Sequence, residues 1–294
     1  MIDIITENKV HPVRVAIIDL YDNIVNEGMR CIKEIVLAAN NRHYQTGVSY
    51  AVHEARYRAD IPDLSYDIYI STGGPGSPHD GAGKAWEKKY FDWWQAVWDN
   101  NQNPFRPKKF VFAVCHSFQL MARFFQLAEV TQRRSKSFGV MPSYKTAAGE
   151  REPLLQDLPN PFYAADFRDW QVVNADRRKF KEYGANILCR EKIRPHVPLE
   201  RSITGIRISD EIVGFQFHPE ADADSMLYHA RRPERRHDII KKHGIEKYHE
   251  FLCRLEEPGY VDRTREAIMP HFLDEAIGRL RPGNGESSGE QSWP

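Results

Sequence analysis

Cys115 stands where a thiol can act as a nucleophile. The segment Phe110-Val111-Phe112-Ala113-Val114-Cys115-His116-Ser117-Phe118-Gln119 is an apolar strand pattern that runs directly into a helical one, with the cysteine at the junction. A strand-to-helix turn this sharp is a nucleophile elbow. It projects its side chain from a strained backbone and needs small neighbours two residues before and after, here Ala113 and Ser117. The start of the helix adds unpaired amides and a positive dipole end, which favour the thiolate. Cysteine is among the most buried residue types, so Cys115 in isolation reads as a small core side chain. The elbow context reverses that reading.

Two further segments supply what a thiol nucleophile requires. In Ile70-Ser71-Thr72-Gly73-Gly74-Pro75-Gly76 a strand ends in glycines, which let backbone amides face a ligand with no Cβ in the way. Such amides can receive an oxyanion, although alone the segment is an ordinary glycine turn. In Gly214-Phe215-Gln216-Phe217-His218-Pro219-Glu220 a strand delivers a histidine and, two residues on, a carboxylate that can orient its ring, with proline fixing the backbone between them. Gly81-Ala82-Gly83-Lys84-Ala85 is not a phosphate loop: Pro78 replaces the first glycine and Ala85 has no hydroxyl for magnesium.

These segments need a scaffold of alternating strands and helices. Val13 to Ile18 is a buried-strand run ending at Asp19, and Gly28 to Ala39 carries helix-spaced Met29, Ile32, Ile35 and Val36. The alternation returns with Tyr50 to His53, Ile68 to Ile70 and Phe110 to Val114, followed by a helical stretch from Phe118 to Leu127. A mostly parallel sheet with helices on both faces is expected. Closely spaced strand patterns at 162–165, 171–173, 186–189, 202–208 and 213–217 should extend the sheet, some of them antiparallel. After Asp224 the chain turns charged and helical, with breaks expected at Gly244, Pro258-Gly259 and Pro270, giving three or four short helices as an appendage. The expected organisation is an amino-terminal arm (1–12), an α/β domain (13–223), a helical extension (224–280) and a disordered Pro/Gly/Ser/Glu-rich tail (281–294).

Composition narrows the function classes. The 294 residues carry 41 Lys plus Arg against 41 Asp plus Glu, so no net field gathers nucleic acid or an anionic membrane. No secretory leader and no run of roughly 18 apolar residues is present, so a cytoplasmic protein without a membrane span is expected. Cys31, Cys115, Cys189 and Cys253 lie far apart, without metal or disulfide spacing, and no metal or cofactor is expected.

In order and spacing, the three segments resemble the class I glutamine amidotransferases across roughly residues 13 to 222. That family carries a Gly-Gly-Pro-Gly-like loop, a Gly-x-Cys-x-Gly-x-Gln elbow and a Gln-Phe-His-Pro-Glu segment. The resemblance is strongest to the glutaminase domains associated with GMP synthase and to standalone proteins that share that domain. It implies a flavodoxin-like domain with Cys115 as nucleophile, His218 as base and acid, and Glu220 as orienter. It places the oxyanion amides on Gly74 and His116, and substrate contacts on Gly73 and Gln119, while Ser137-Phe138-Gly139-Val140 matches the strand segment after the elbow helix. Two departures stand out. Ala113 and Ser117 replace the elbow glycines, and Asp166-Phe167-Arg168 replaces the Ser-His pair that holds the substrate's amino-acid end.

The implied reaction is hydrolysis of the glutamine side-chain amide through a γ-glutamyl thioester, with ammonia passing to an acceptor on a separate synthetase subunit. One alternative is a γ-glutamyl peptidase or hydrolase using the same triad, and another is a non-catalytic regulatory binding subunit. The aromatic stretch Trp86, Tyr90, Phe91, Trp93, Trp94 and Trp98 reads as core or interface. His237, His243 and His249 read as solvated, and the basic run Arg231-Arg232, Arg235-Arg236, Lys241-Lys242 as a solvated helix face or, as the lesser alternative, an anion or docking site.

Overall fold

The protein is described by a computed structural model covering residues 12–194 and 200–281. The expected arm, apart from Pro12, and the expected tail, apart from Arg281, lie outside the described residues. The first half alternates as expected: β1 (Val13–Asp19), α1 (Glu27–Arg42), β2 (Val48–Glu54), a short α2 (Ala55–Arg58), β3 (Ile68–Ser71), α3 (Ala85–Gln102), β4 (Phe110–Val114) and α4 (His116–Phe124). The second half supplies β5 (Glu129–Ser137), β6 (Val140–Lys145), β7 (Phe162–Ala165), β8 (Arg168–Val173), α5 (Arg177–Tyr183), β9 (Asn186–Glu191), β10 (Ile203–Ser209) and β11 (Ile212–Phe215). One mixed sheet results. β2, β1, β3, β4 and β11 run parallel in that order, and β10, β9, β6 and β7 continue antiparallel, with β8 pairing β10 and β5 at the side.

The alternation of side chains along each strand creates two cores. Val15 and Ile17 of β1, Ile68 and Ile70 of β3, and Phe110, Phe112 and Val114 of β4 face one side. Ala16, Ile18, Tyr69, Val111 and Ala113 face the other. Because both faces are covered, all five residues of β4 are buried, which is why this strand is a continuous apolar run in the sequence. The aromatic stretch is core: Trp86, Tyr90, Trp93 and Trp94 of α3 pack on the second face, and Trp98 closes on Phe125 and Tyr183.

The helical extension comprises α6 (Ala223–Arg231), α7 (Pro233–His243), α8 (Ile245–Glu256) and α9 (Val261–Leu280). Two expectations are corrected here. Pro270 does not break the chain but sits inside the twenty-residue α9, and α9 is part of the main core, not an appendage. Interior proline costs about 3 kcal/mol in a helix. Burial of each large apolar side chain contributes about 1.5–3 kcal/mol, and Ile268, Met269, Phe272, Leu273 and Ile277 are all buried against the sheet, so packing outweighs the lost hydrogen bond. Phe272 meets Phe112 edge-on at 5.1 Å. Phe272→Ala is therefore expected to lower stability by about 3–5 kcal/mol, read as a shifted urea midpoint at unchanged slope. α6 and α8, with Ile239 of α7 and Val261 at the start of α9, form a separate small cluster around Phe251 and Leu255, packed on Phe138, Val140 and Phe167. No helix among the described residues is long and apolar enough to cross a membrane.

Candidate active site

The elbow is formed as the sequence requires. Cys115 has φ 50° and ψ −97°, a positive-φ backbone that a non-glycine residue adopts only under constraint. The constraint comes from both sides of the turn: the Cys115 amide donates to Phe215 O at 2.8 Å, and the Gln119 amide donates back to Cys115 O at 3.1 Å as α4 begins. Cys115 thus lies at the carboxyl end of β4, beside the carboxyl ends of β3 and β11, where α/β sheets place their ligands.

His218 follows β11 and is held by a backbone bridge to the end of β7, its amide donating to Ala165 O at 2.8 Å. Its Nδ1 lies 2.8 Å from Glu220 Oε1, whose side chain is 1 % exposed. Burial favours the neutral ring, but the Glu220 carboxylate and Cys115 beside it outweigh burial and raise the His218 pKa well above the usual histidine range. The ring is therefore held in its charged form beside Cys115. Arg265 of α9 donates to the Glu220 carbonyl, so the core helix also steadies the carboxylate's backbone.

The Gly73-Gly74 loop leaves β3 next to the elbow. Thr72 Oγ1 accepts from the Leu20 amide at 2.9 Å, and Arg56 donates to Pro75 O at 2.6 Å, fixing the loop from inside and outside. A Cβ on Gly73 would lie 2.9 Å from His218 Cε1, and one on Gly74 would lie 2.4 Å from Leu20 O. Glycine is required at both. His116 opens α4, so its amide is one of the helix's unpaired donors; its ring is buried, and burial with Arg56 and Arg123 nearby lowers its pKa to about 3, leaving it neutral. Gln119, one turn on, donates to Gln216 Oε1 at 3.1 Å and to Trp170 O at 3.4 Å. The structure thus brings together all seven residues singled out in the sequence: Cys115, His218, Glu220, Gly73, Gly74, His116 and Gln119.

Residues 16–227 match the family described as Glutamine amidotransferase class-I. The chain belongs to the class I glutamine amidotransferase family. Membership makes it a cysteine-nucleophile enzyme of glutamine-amide hydrolysis. Solved structures show the same fold. A glutamine amidotransferase of Thermotoga maritima is 17% identical, with a TM-score of 0.63 over 92% of this chain and 98% of its own. A glutamine amido transferase of Methylobacillus flagellatus is 15% identical, with a TM-score of 0.63 over 94% and 98%. A Thermoplasma acidophilum protein described as a GMP synthase subunit is 14% identical, with a TM-score of 0.50 over 72% and 86%. No curated protein matches.

Within this amidotransferase both departures from the family pattern have a local account. Ser117 Oγ accepts from the Val114 amide at 2.7 Å and donates to Ser71 O at 2.6 Å, so the serine ties β3 to the elbow. Ala113 is tolerated because its register partner is Gly214, where an added Cβ would come within 3.2 Å of the Ala113 methyl. In the altered loop, the Arg168 guanidinium is committed to protein partners. Its Nε donates to both Asp166 oxygens at 3.0 Å, its Nη1 to Ser202 at 2.8 Å and its Nη2 to Glu191 at 3.2 Å, with the side chain 2 % exposed. The next residue instead offers charge: Asp169 pairs with Lys136 at 2.8 Å, and both line the pocket.

Sequence reasoning missed three contributors. Gln216 orients Gln119 and reaches to 3.7 Å from Cys115 Sγ. Tyr21 and Glu220 each keep a buried oxygen without a hydrogen-bond partner among the described residues, and Gly28 makes room for them, since a Cβ there would lie 2.3 Å from the Tyr21 hydroxyl and 3.1 Å from Glu220 Oε1. Burial, with Glu220 and Cys115 adding to it, raises the Tyr21 pKa and keeps the phenol protonated. Nothing in the spacing of Tyr21 marks it as part of the site. His243, expected to be solvated, is half-buried and stacks on Phe138 at 4.1 Å, whereas His237 and His249 are exposed as expected. One described group, Cys31, Glu34 and Asp222, brings ligand-type atoms within 4.8 Å of one another, but Arg30 and Arg265 neutralise its carboxylates.

Two cavities meet at Cys115. One, of about 330 Å³, runs over His116, Gln119, Lys136, Asp169 and Trp170. The other, of about 750 Å³, runs past His218 and Tyr21 to α6 and α7.

Proposed function

We propose that Cys115 is the nucleophile, His218 the general base and acid, and Glu220 its orienter, in hydrolysis of the glutamine side-chain amide. The observation that carries this reading is the strained Cys115 elbow facing the His218–Glu220 pair at 2.8 Å. The glutamyl portion enters the smaller cavity, with Lys136 and Asp169 taking the carboxylate and ammonium of its amino-acid end in place of the family's Ser-His pair. The thiolate attacks the γ-carbon, and the oxyanion is received by the amides of Gly74 and His116. His218 protonates the leaving nitrogen as the C–N bond breaks, then takes a proton from water as the thioester C–S bond is cleaved to give glutamate.

Gly74→Ala forces the loop away from Leu20 and with it one oxyanion donor. It is expected to lower kcat by about 10²–10³-fold with KM little changed, as measured by steady-state ammonia release. We place the ammonia acceptor on a separate synthetase subunit, in a GMP synthase-like arrangement; the likeness to the Thermoplasma protein, itself described as one subunit of a GMP synthase, supports this. A reducing cytoplasm suits the four free thiols. Equal amounts of ammonia and glutamate from glutamine are the expected products. No release, even with cell extract supplying a partner, would overturn the glutaminase reading. The 750 Å³ cavity favours γ-glutamyl hydrolysis as a second reading.

A further inference from the structure

The larger cavity has no use in the release of ammonia. A leaving group of that size needs a volume of roughly 30 Å³, like a water molecule, whereas this lobe offers about 750 Å³ opening at Cys115, His218 and Gly74. Its floor is apolar: Phe138, Phe167 and Phe251 meet one another edge-on or tilted at 5.1–5.9 Å, with Met226 and Ile239 beside them. The opposite lip carries Ile24 and Val25, which are 57% and 99% exposed. The far wall is cationic. Arg232, Arg235 and Lys242 line it and, among the described residues, have no carboxylate within salt-bridge distance. The lobe's acids are mostly engaged: Glu27 and Asp222 with Arg30, and Glu220 with His218, leaving Asp238 as the one acid on that wall without an ion pair among the described residues.

We infer that this lobe binds the amine half of a γ-glutamyl amide whose leaving group carries an aromatic or large apolar side chain and a carboxylate. The inference rests on the proposed thioester chemistry at Cys115 and names the substrate class for it. The γ-glutamyl half occupies the smaller cavity, the ring lies on the Phe138–Phe167–Phe251 floor, and the carboxylate meets Arg235 and Lys242. The step balances with water alone. The C–S bond forms as the amide C–N bond breaks, His218 delivers its proton to the departing amine, and water then splits the thioester and returns a proton to His218.

The test compares kcat/KM for glutamine, γ-glutamyl-phenylalanine and γ-glutamyl-phenethylamide, which has the ring without the carboxylate, in wild-type protein and in Arg235→Ala/Lys242→Ala. Both positions are exposed, so the double variant folds. γ-Glutamyl-phenylalanine is expected to exceed glutamine by about tenfold or more. The double variant is expected to lose about tenfold on γ-glutamyl-phenylalanine while the phenethylamide changes less than about twofold. Glutamine hydrolysed at least as well as both conjugates, or a loss in the double variant that ignores the carboxylate, overturns the inference while leaving the glutaminase reading standing. Failure of all three substrates overturns both.

Discussion

Cys115→Ala is expected to lower ammonia release from glutamine by about 10⁴-fold or more, to the level left by binding and oxyanion stabilisation alone. The Sγ atom is the one that forms the thioester, and that route disappears with it. Folding should be spared. Cys115 is 6% exposed, alanine removes a single heavy atom, and the backbone bonds of Cys115 to Phe215 and Gln119 do not involve the side chain. The check is paired: ammonia production by coupled assay, and urea unfolding of the same preparation. A large loss of rate with a midpoint shift under about 1 kcal/mol assigns the effect to chemistry.

Glu220→Gln is expected to cost about 10²–10⁴-fold in kcat while preserving shape. The amide can still hold His218 Nδ1, but the charge that opposes burial and raises the His218 pKa is gone. The charged His218 ring then loses ground to the neutral one, and the limb of the rate profile governed by His218 is expected to shift to lower pH. Stability follows with a defined sign. Because folding raises the His218 pKa, its contribution is fully present below the unfolded value of about 6.5 and is lost as pH rises through the folded value. The stability gap between wild type and Glu220→Gln is therefore expected to be widest near about pH 6 and to narrow at higher pH, as read from urea midpoints across the range.

The elements that hold the site were legible where one local pattern decides the structure. β4 is a run of five apolar residues buried on both faces, and it ends at a residue whose surroundings specify an elbow. Pro270 was misleading because helix propensity is local, whereas the packing of Phe272 and Ile277 on the sheet is not. In the sequence Ser117 stood only as a small replacement for an elbow glycine; its hydroxyl's role as a tie between β3 and β4 depends on a carbonyl 46 residues away. Tyr21 and Gln216 escaped for the same reason. Each joins the site through contacts that arise only when β1 and β11 lie on either side of β3 and β4. The two cavities on either side of Cys115 have no counterpart in any linear motif, since the larger one is walled by α1 and by helices more than a hundred residues further along the chain than the elbow.

The most direct test is to incubate the protein with a glutamine-mimicking electrophile and locate the adduct by peptide mass spectrometry, with and without excess glutamine. Rapid modification of Cys115 alone, slowed by glutamine and abolished in His218→Asn, is the expected result; buried Cys31 and Cys189 and exposed Cys253 should remain unmodified. Labelling confined to Cys253, or labelling of Cys115 that glutamine does not slow, would contradict an activated Cys115 nucleophile in a glutamine site.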